Sequence, residues 1–123
     1  MFEITVKSEL EEAHFIKNYA GKCAQLHGHN WTVEAIVCGE TLNELGILVD
    51  FKILKDELNK VLDLLDHKYL NELEMFAEKN PTAEIIAQEI FNRLSVAEIF
   101  DGAAKLKGIR VYETPKSCVT YLP

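Results

Sequence analysis

His29-Asn-Trp-Thr-Val-Glu-Ala-Ile-Val-Cys-Gly39 sets Trp31, Val33, Ala35 and Val37 at every second position. Side chains alternating this way fall on one face of an extended chain, so the stretch is predicted to be a strand. The chain opens with the same pattern: Phe2, Ile4 and Val6 alternate with Glu3, Thr5 and Lys7, and the pattern extends through Leu10 to His14. The polar loop between, with Asn18, Gly21 and Lys22, has no room for a crossover helix, so the two strands are expected to pair antiparallel. From Asp50 the period becomes helical. Phe51, Leu54, Leu58, Val61, Leu62 and Leu65 form an apolar stripe behind an Asp suited to the N-cap, and this helix is expected to end near Asp66-His67. A second helix is predicted from Asn80-Pro81-Thr82, with Pro at the first helical position, Asn or Thr as cap, and Ile86, Ile90, Leu94 and Ala97 as its stripe. Gly102 helps to stop the chain before the last strands. Ile109 and Val111, then Val119 and Tyr121, alternate on either side of Thr114-Pro115-Lys116-Ser117, a terminal hairpin. The order predicts an α+β domain: a four-stranded antiparallel sheet with both helices on one face.

A length of 123 residues, 48% apolar and 27% charged, is enough for one core, so residues 1–123 are read as a single domain. In so small a domain, an active site needing groups from several directions is open to completion by a neighbouring subunit. Met1 to Lys7 lacks the charged head and apolar run of a signal peptide, and no stretch approaches the roughly 20 apolar residues that span a membrane. A soluble, cytoplasmic protein is expected. The net charge of -7 argues against a general nucleic-acid or anionic-membrane surface, both of which need clustered Lys and Arg. A polyanionic substrate would then need local basic groups. Lys17 and Lys22 are the candidates, with solvated loop lysines as the competing reading.

Cys23, Cys38 and Cys118 are odd in number and without close pairing, which fits a reducing compartment. Cys38 and Cys118 sit in apolar strands and are expected to be buried small hydrophobes. Cys23 lies in the polar loop beside Lys22, a setting that lowers a thiol pKa. It reads as a base or nucleophile, as an idle loop cysteine, or as a fourth zinc ligand closing a structural site. His27-Gly28-His29 sets two imidazoles at positions i and i+2, on one face of an extended chain and within reach of one metal ion. Antiparallel pairing would bring His14 opposite them, and three imidazoles leave zinc an open position for catalysis. Asp66-His67 reads either as an acid-histidine pair for proton transfer or as a surface pair. Glu113 reads either as a solvated hairpin residue or as a carboxylate that accepts two N–H donors from a flat heterocycle.

Together these residues resemble the 6-pyruvoyltetrahydropterin synthase family from Leu10 to Tyr121. The resemblance is carried by Ala13-His14, Cys23-Ala-Gln-Leu-His27-Gly-His29, Gly46-Ile-Leu-Val-Asp50-Phe51, Leu65-Asp66-His67-Lys-Tyr-Leu70-Asn71, Asn80-Pro81-Thr82-Ala-Glu84 and Val111-Tyr-Glu113-Thr114, in family order. It implies zinc on His14, His27 and His29, Cys23 as general base, Asp66 and His67 as proton relay, and substrate contacts from Glu113, Thr82 and Glu84, with Glu113 anchoring the pterin. It also implies the tunnelling fold, in which protomers join sheets into a barrel, two trimers make a hexamer, and active sites lie between subunits. Cysteine four residues ahead of His-Gly-His, the Asn-Pro-Thr-x-Glu helix start and the compact length are most similar to the bacterial carboxytetrahydropterin synthase branch. That branch is a zinc-dependent lyase of queuosine synthesis, taking 7,8-dihydroneopterin triphosphate to 6-carboxy-5,6,7,8-tetrahydropterin, acetaldehyde and triphosphate. The rival readings are 6-pyruvoyltetrahydropterin synthesis, without carbon-carbon cleavage, and a zinc- or pterin-binding module without turnover. Glu12 departs from the family pattern, where many relatives have a small apolar residue, and is expected to point to solvent.

Overall fold

Strands β1 (Phe2–His14) and β2 (His27–Gly39) pair antiparallel over their whole length, from Phe2 opposite Gly39 to His14 opposite His27. The structure, a computed structural model, describes residues 1–14, 16, 17 and 27–123, and describes the side chains of these except for 13 and 27–29. Strand β4 (Lys105–Thr114) lies against β2, and β5 (Ser117–Tyr121) folds back on β4 in the expected hairpin, with Thr114 opposite Ser117 and Val111 opposite Val119.

The sheet has a fifth strand, which corrects the expectation of four antiparallel ones. Residues Lys68–Tyr69 form β3, which runs parallel to β1 beside Glu12 and Ala13, giving a mixed sheet of order β3-β1-β2-β4-β5. A two-residue strand has no periodicity to read. Its pairing comes from the path of the chain after the first helix, where the His67 N–H donates to the carbonyl of Glu11.

Helix α1 (Phe51–Leu62) starts where Asp50, in an extended conformation, accepts from the N–H groups of Lys52 and Ile53. It buries Leu54, Leu58, Val61 and Leu62. Leu65 also reaches the core, from the turn beyond the helix, whereas Phe51 is 61% exposed and does not belong to the buried stripe. Helix α2 (Ala83–Leu94) is capped by Thr82, whose hydroxyl accepts from the Ile85 N–H at 3.2 Å. Pro81 therefore precedes the cap and does not occupy the first helical position. Asn80 instead brackets the backbone of Lys17, accepting from its N–H at 2.9 Å and donating to its carbonyl at 3.0 Å.

Both helices cover one sheet face. Leu10, Trp31, Val33, Ala35, Val37, Ile109 and Val111 are buried there in a single cluster with Leu54, Leu58, Ile86, Ile90 and Leu94. Burying a side chain of this size contributes about 1.5–3 kcal/mol. Among the described residues no helix covers the opposite face, so residues of the other parity keep more contact with water. Cys38 is only half-buried and Cys118 is exposed, contrary to the expectation that both are core residues. On that face Glu34 is buried between Lys7 and Arg110, each 3.4 Å away. Among the described residues, no helix is long and apolar enough to cross a membrane.

Candidate active site

The β1–β2 register assembles the histidine positions: His14 stands opposite His27, and Glu12 opposite His29. Alternation along β1 gives Leu10, Glu12 and His14 the helix-covered face and leaves Glu9 and Glu11 exposed. His14 is 1% exposed, and its Nδ1 lies 2.6 Å from the carbonyl oxygen of Pro81. A carbonyl can only accept, so Nδ1 must carry the proton, and in a neutral ring the lone pair is then on Nε2. The ring meets Trp31 edge to face, with centroids 5.3 Å apart and planes at 84°. Thus the N-terminus of α2, through Pro81, fixes both the tautomer and the tilt of His14. An imidazole held this way is oriented as one that ligates a metal would be. Of the three histidines, His14 alone has a described side chain.

Glu12 does not point to solvent. It is 5% exposed, because it shares strand parity with His14. Neither carboxyl oxygen has a hydrogen-bond partner among the described residues. Burial pushes its pKa up to about 8, and the negative charge of Glu113 adds to the rise. Sequence reasoning missed Glu12, although its spacing of two from His14 was the available signal. Glu113 is half-buried near the end of β4, two residues beyond Val111, which faces Val33 on the same sheet side. Thr82 is half-buried with its hydroxyl engaged in the α2 cap, and Glu84 is exposed in the first turn of that helix.

Asp66 and His67 gather around Glu11, on the other side of β1. An Asp66 carboxylate oxygen accepts from the Glu11 N–H at 2.8 Å, and the other lies 3.5 Å from His67 Nε2. His67 Nδ1 is 3.2 Å from the Glu11 carboxylate, so either ring proton meets an acid. His67 has φ +56°, a conformation costly for a non-glycine residue, and it is held there by its backbone bond to Glu11. Within one chain, then, Asp66 and His67 stand on the sheet face opposite His14 and Glu12. Cys23 and Lys22 lie outside the described residues; Lys17 is exposed.

The 6-pyruvoyl tetrahydropterin synthase family profile matches residues 3–123, and the chain belongs to this family. It is 33% identical over 128 residues to 6-carboxy-5,6,7,8-tetrahydropterin synthase of Bacillus subtilis (strain 168), covering 99% of this chain and 86% of that protein. Haemophilus influenzae has a protein of the same name that is 32% identical over 143 residues, covering 98% of this chain and 99% of that one. Among solved structures, Caenorhabditis elegans 6-pyruvoyl tetrahydropterin synthase aligns with a TM-score of 0.83 at 27% identity, covering 100% of this chain and 97% of that one. A Plasmodium vivax 6-pyruvoyl tetrahydropterin synthase shares the fold, with a TM-score of 0.73 at 21% identity over 98% of this chain and 96% of that one.

Proposed function

We propose that this chain is a zinc-dependent 6-carboxy-5,6,7,8-tetrahydropterin synthase. As a lyase it would convert 7,8-dihydroneopterin triphosphate and water to 6-carboxytetrahydropterin, acetaldehyde and triphosphate, in the cytoplasm and for queuosine synthesis. The observation that carries this reading is the register that sets His14 opposite His27 and two positions from the partner of His29, with the His14 tautomer fixed by Pro81. The names of the bacterial relatives favour the carboxy product. The C. elegans structure keeps the pyruvoyl product as the second reading.

His14, His27 and His29 would hold the zinc ion, which when bound would supply positive charge that lowers the cost of removing a carbon-bound proton. Cys23 as thiolate takes that proton, and Lys22 beside it helps to keep the thiolate available. His67, flanked by Asp66, exchanges a second proton at the substrate side chain. Glu113 orients the pterin by accepting its N–H donors, and Thr82 and Glu84 add contacts at the start of α2. Because Asp66 and His67 face away from His14 in their own chain, they reach this site from a neighbouring copy. Exposed Phe2, Ile47 and Phe51 and the edge strand β5 are features such self-association would cover, in a trimer or a dimer of trimers.

The reaction is tested by anaerobic incubation with 7,8-dihydroneopterin triphosphate, identifying the pterin and assaying acetaldehyde. Carboxytetrahydropterin with equimolar acetaldehyde is the expected result; a pyruvoyl pterin without acetaldehyde would establish the second reading, and an untouched substrate would defeat both. Glu113→Gln replaces one acceptor oxygen by a donor and should raise KM by about ten- to hundredfold, since hydrogen bonds to charged groups contribute about 1.5–3 kcal/mol. Zinc content and melting temperature should hold. Unchanged kinetics would remove Glu113 from the site.

A further inference from the structure

Two glutamates are buried in this fold, and their surroundings differ. Glu34 has Lys7 and Arg110 within 3.4 Å. Glu12 is equally buried, at 5% exposure, yet both its carboxyl oxygens are without a hydrogen-bond partner among the described residues. Buried carboxylates are ordinarily either paired with a cation or bound to a metal, because the low-dielectric interior does not replace the water they give up. Glu34 satisfies that rule through its two basic neighbours. Among the described residues no cation does so for Glu12.

The strand register identifies what could. Positions 12 and 14 of β1 stand opposite positions 29 and 27 of β2, so these four residues mark the corners of a rectangle on the helix-covered face of the sheet. Its sides are about 5 Å across the strands and about 7 Å along them. Three corners are the histidines His14, His27 and His29; the fourth is Glu12. An ion seated over the middle of the rectangle lies at similar distances from all four. His14 already directs its ring proton to the Pro81 carbonyl, so the Glu12 carboxylate is not needed to orient that ring.

We propose that Glu12 is a protein ligand of the metal ion, giving this chain a donor set of three histidines and one carboxylate. The inference rests on the three-histidine zinc site proposed above and adds to it. The carboxylate would supply negative charge against the dication, and the dication would supply the positive partner that the buried acid lacks among the described residues. A fourth protein donor does not shut substrate out, since catalytic zinc expands to five ligands.

The test uses the full-length protein, stripped of metal and reloaded with zinc or cobalt(II). Zinc affinity is read by competition with a chelator, and coordination by the visible spectrum of the cobalt form. Glu12→Gln keeps the size of the side chain, and Glu12→Ala removes it. Both are expected to weaken zinc by at least about ten- to hundredfold, the range seen even for outer-shell partners of metal ligands. Both should also change the cobalt spectrum, while the metal-free variants melt no lower than the metal-free parent because a buried acid without a hydrogen-bond partner among the described residues has been removed. Unchanged affinity and spectrum in both variants would overturn the proposal. Weaker zinc with an unchanged cobalt spectrum would also overturn it, making Glu12 an outer partner of a histidine. A parent protein that takes up neither ion would bring down the histidine site itself, whereas a parent that binds zinc beside unaffected variants would bring down only Glu12.

Discussion

His14→Ala is expected to lose zinc and, with it, at least about three orders of magnitude of turnover, because bound metal contributes several kcal/mol of charge stabilisation and each 1.36 kcal/mol is tenfold in rate. Of the three histidine positions proposed to hold zinc, this is the one whose side chain is described. His14 is 1% exposed, packs edge to face on Trp31, and donates to the Pro81 carbonyl at 2.6 Å. Removing the ring leaves that buried carbonyl without its donor, at a cost of about 1–3 kcal/mol, and opens a cavity against Trp31 that adds to the loss. Stability of the metal-free protein should therefore fall as well. Elemental analysis, chemical denaturation and rate measurement on one preparation separate these effects. Full zinc occupancy in His14→Ala would show that the ion is held elsewhere.

The strands that build this site were legible because their periodicity is carried by large apolar residues. Trp31, Val33, Ala35 and Val37 are all 0% exposed, and pairing β2 with β1 across a short loop was enough to place His14 opposite His27. The caps were legible too, since Asp50 has the side chain a helix start needs, though Thr82 and not Asn80 closes α2. Strand β3 could not be seen, because Lys68–Tyr69 owes its pairing to the path of the backbone and not to any pattern of its own. Cys38 and Cys118 were misplaced for a different reason. Apolar neighbours suggested burial, but parity puts Val37 and Val119 on the covered face and leaves the cysteines to the other. Glu12 is the same error reversed: its charge suggested solvent, while its parity with Leu10 and His14 put it inside. Where residue type and strand parity disagreed, parity decided.

The Asp66-His67 pair shows how far one chain's sequence can go. Asp66-His67 was recognisable as an acid beside an imidazole, but sequence could not say which face of β1 it would occupy. That depends on the chain turning at His67, whose φ of +56° and backbone bond to Glu11 bring the pair alongside Glu11 instead of Glu12. A site that used both His14 and His67 would therefore take them from two copies of this chain.

Cys23→Ala should lower turnover by about two to four orders of magnitude, the usual contribution of a positioned acid or base, while zinc content and stability are retained. The opposite expectation belongs to Cys23 as a structural ligand. In that case the substitution would loosen the ion and destabilise the fold, because structural zinc binding is coupled to folding free energy. The surroundings of the metal positions favour the base. If the three histidines and Glu12 supply the donors proposed above, a thiolate is not required to complete the ligand set. Lys22, adjacent in sequence, would favour the thiolate over the thiol, as would a dication held at the proposed histidine site, and proton abstraction from carbon requires the thiolate. Zinc content of purified Cys23→Ala, measured beside its rate of substrate consumption, separates the two roles. Metal kept while activity is lost is the expected result, and metal lost together with activity would reassign Cys23 to the ligand set.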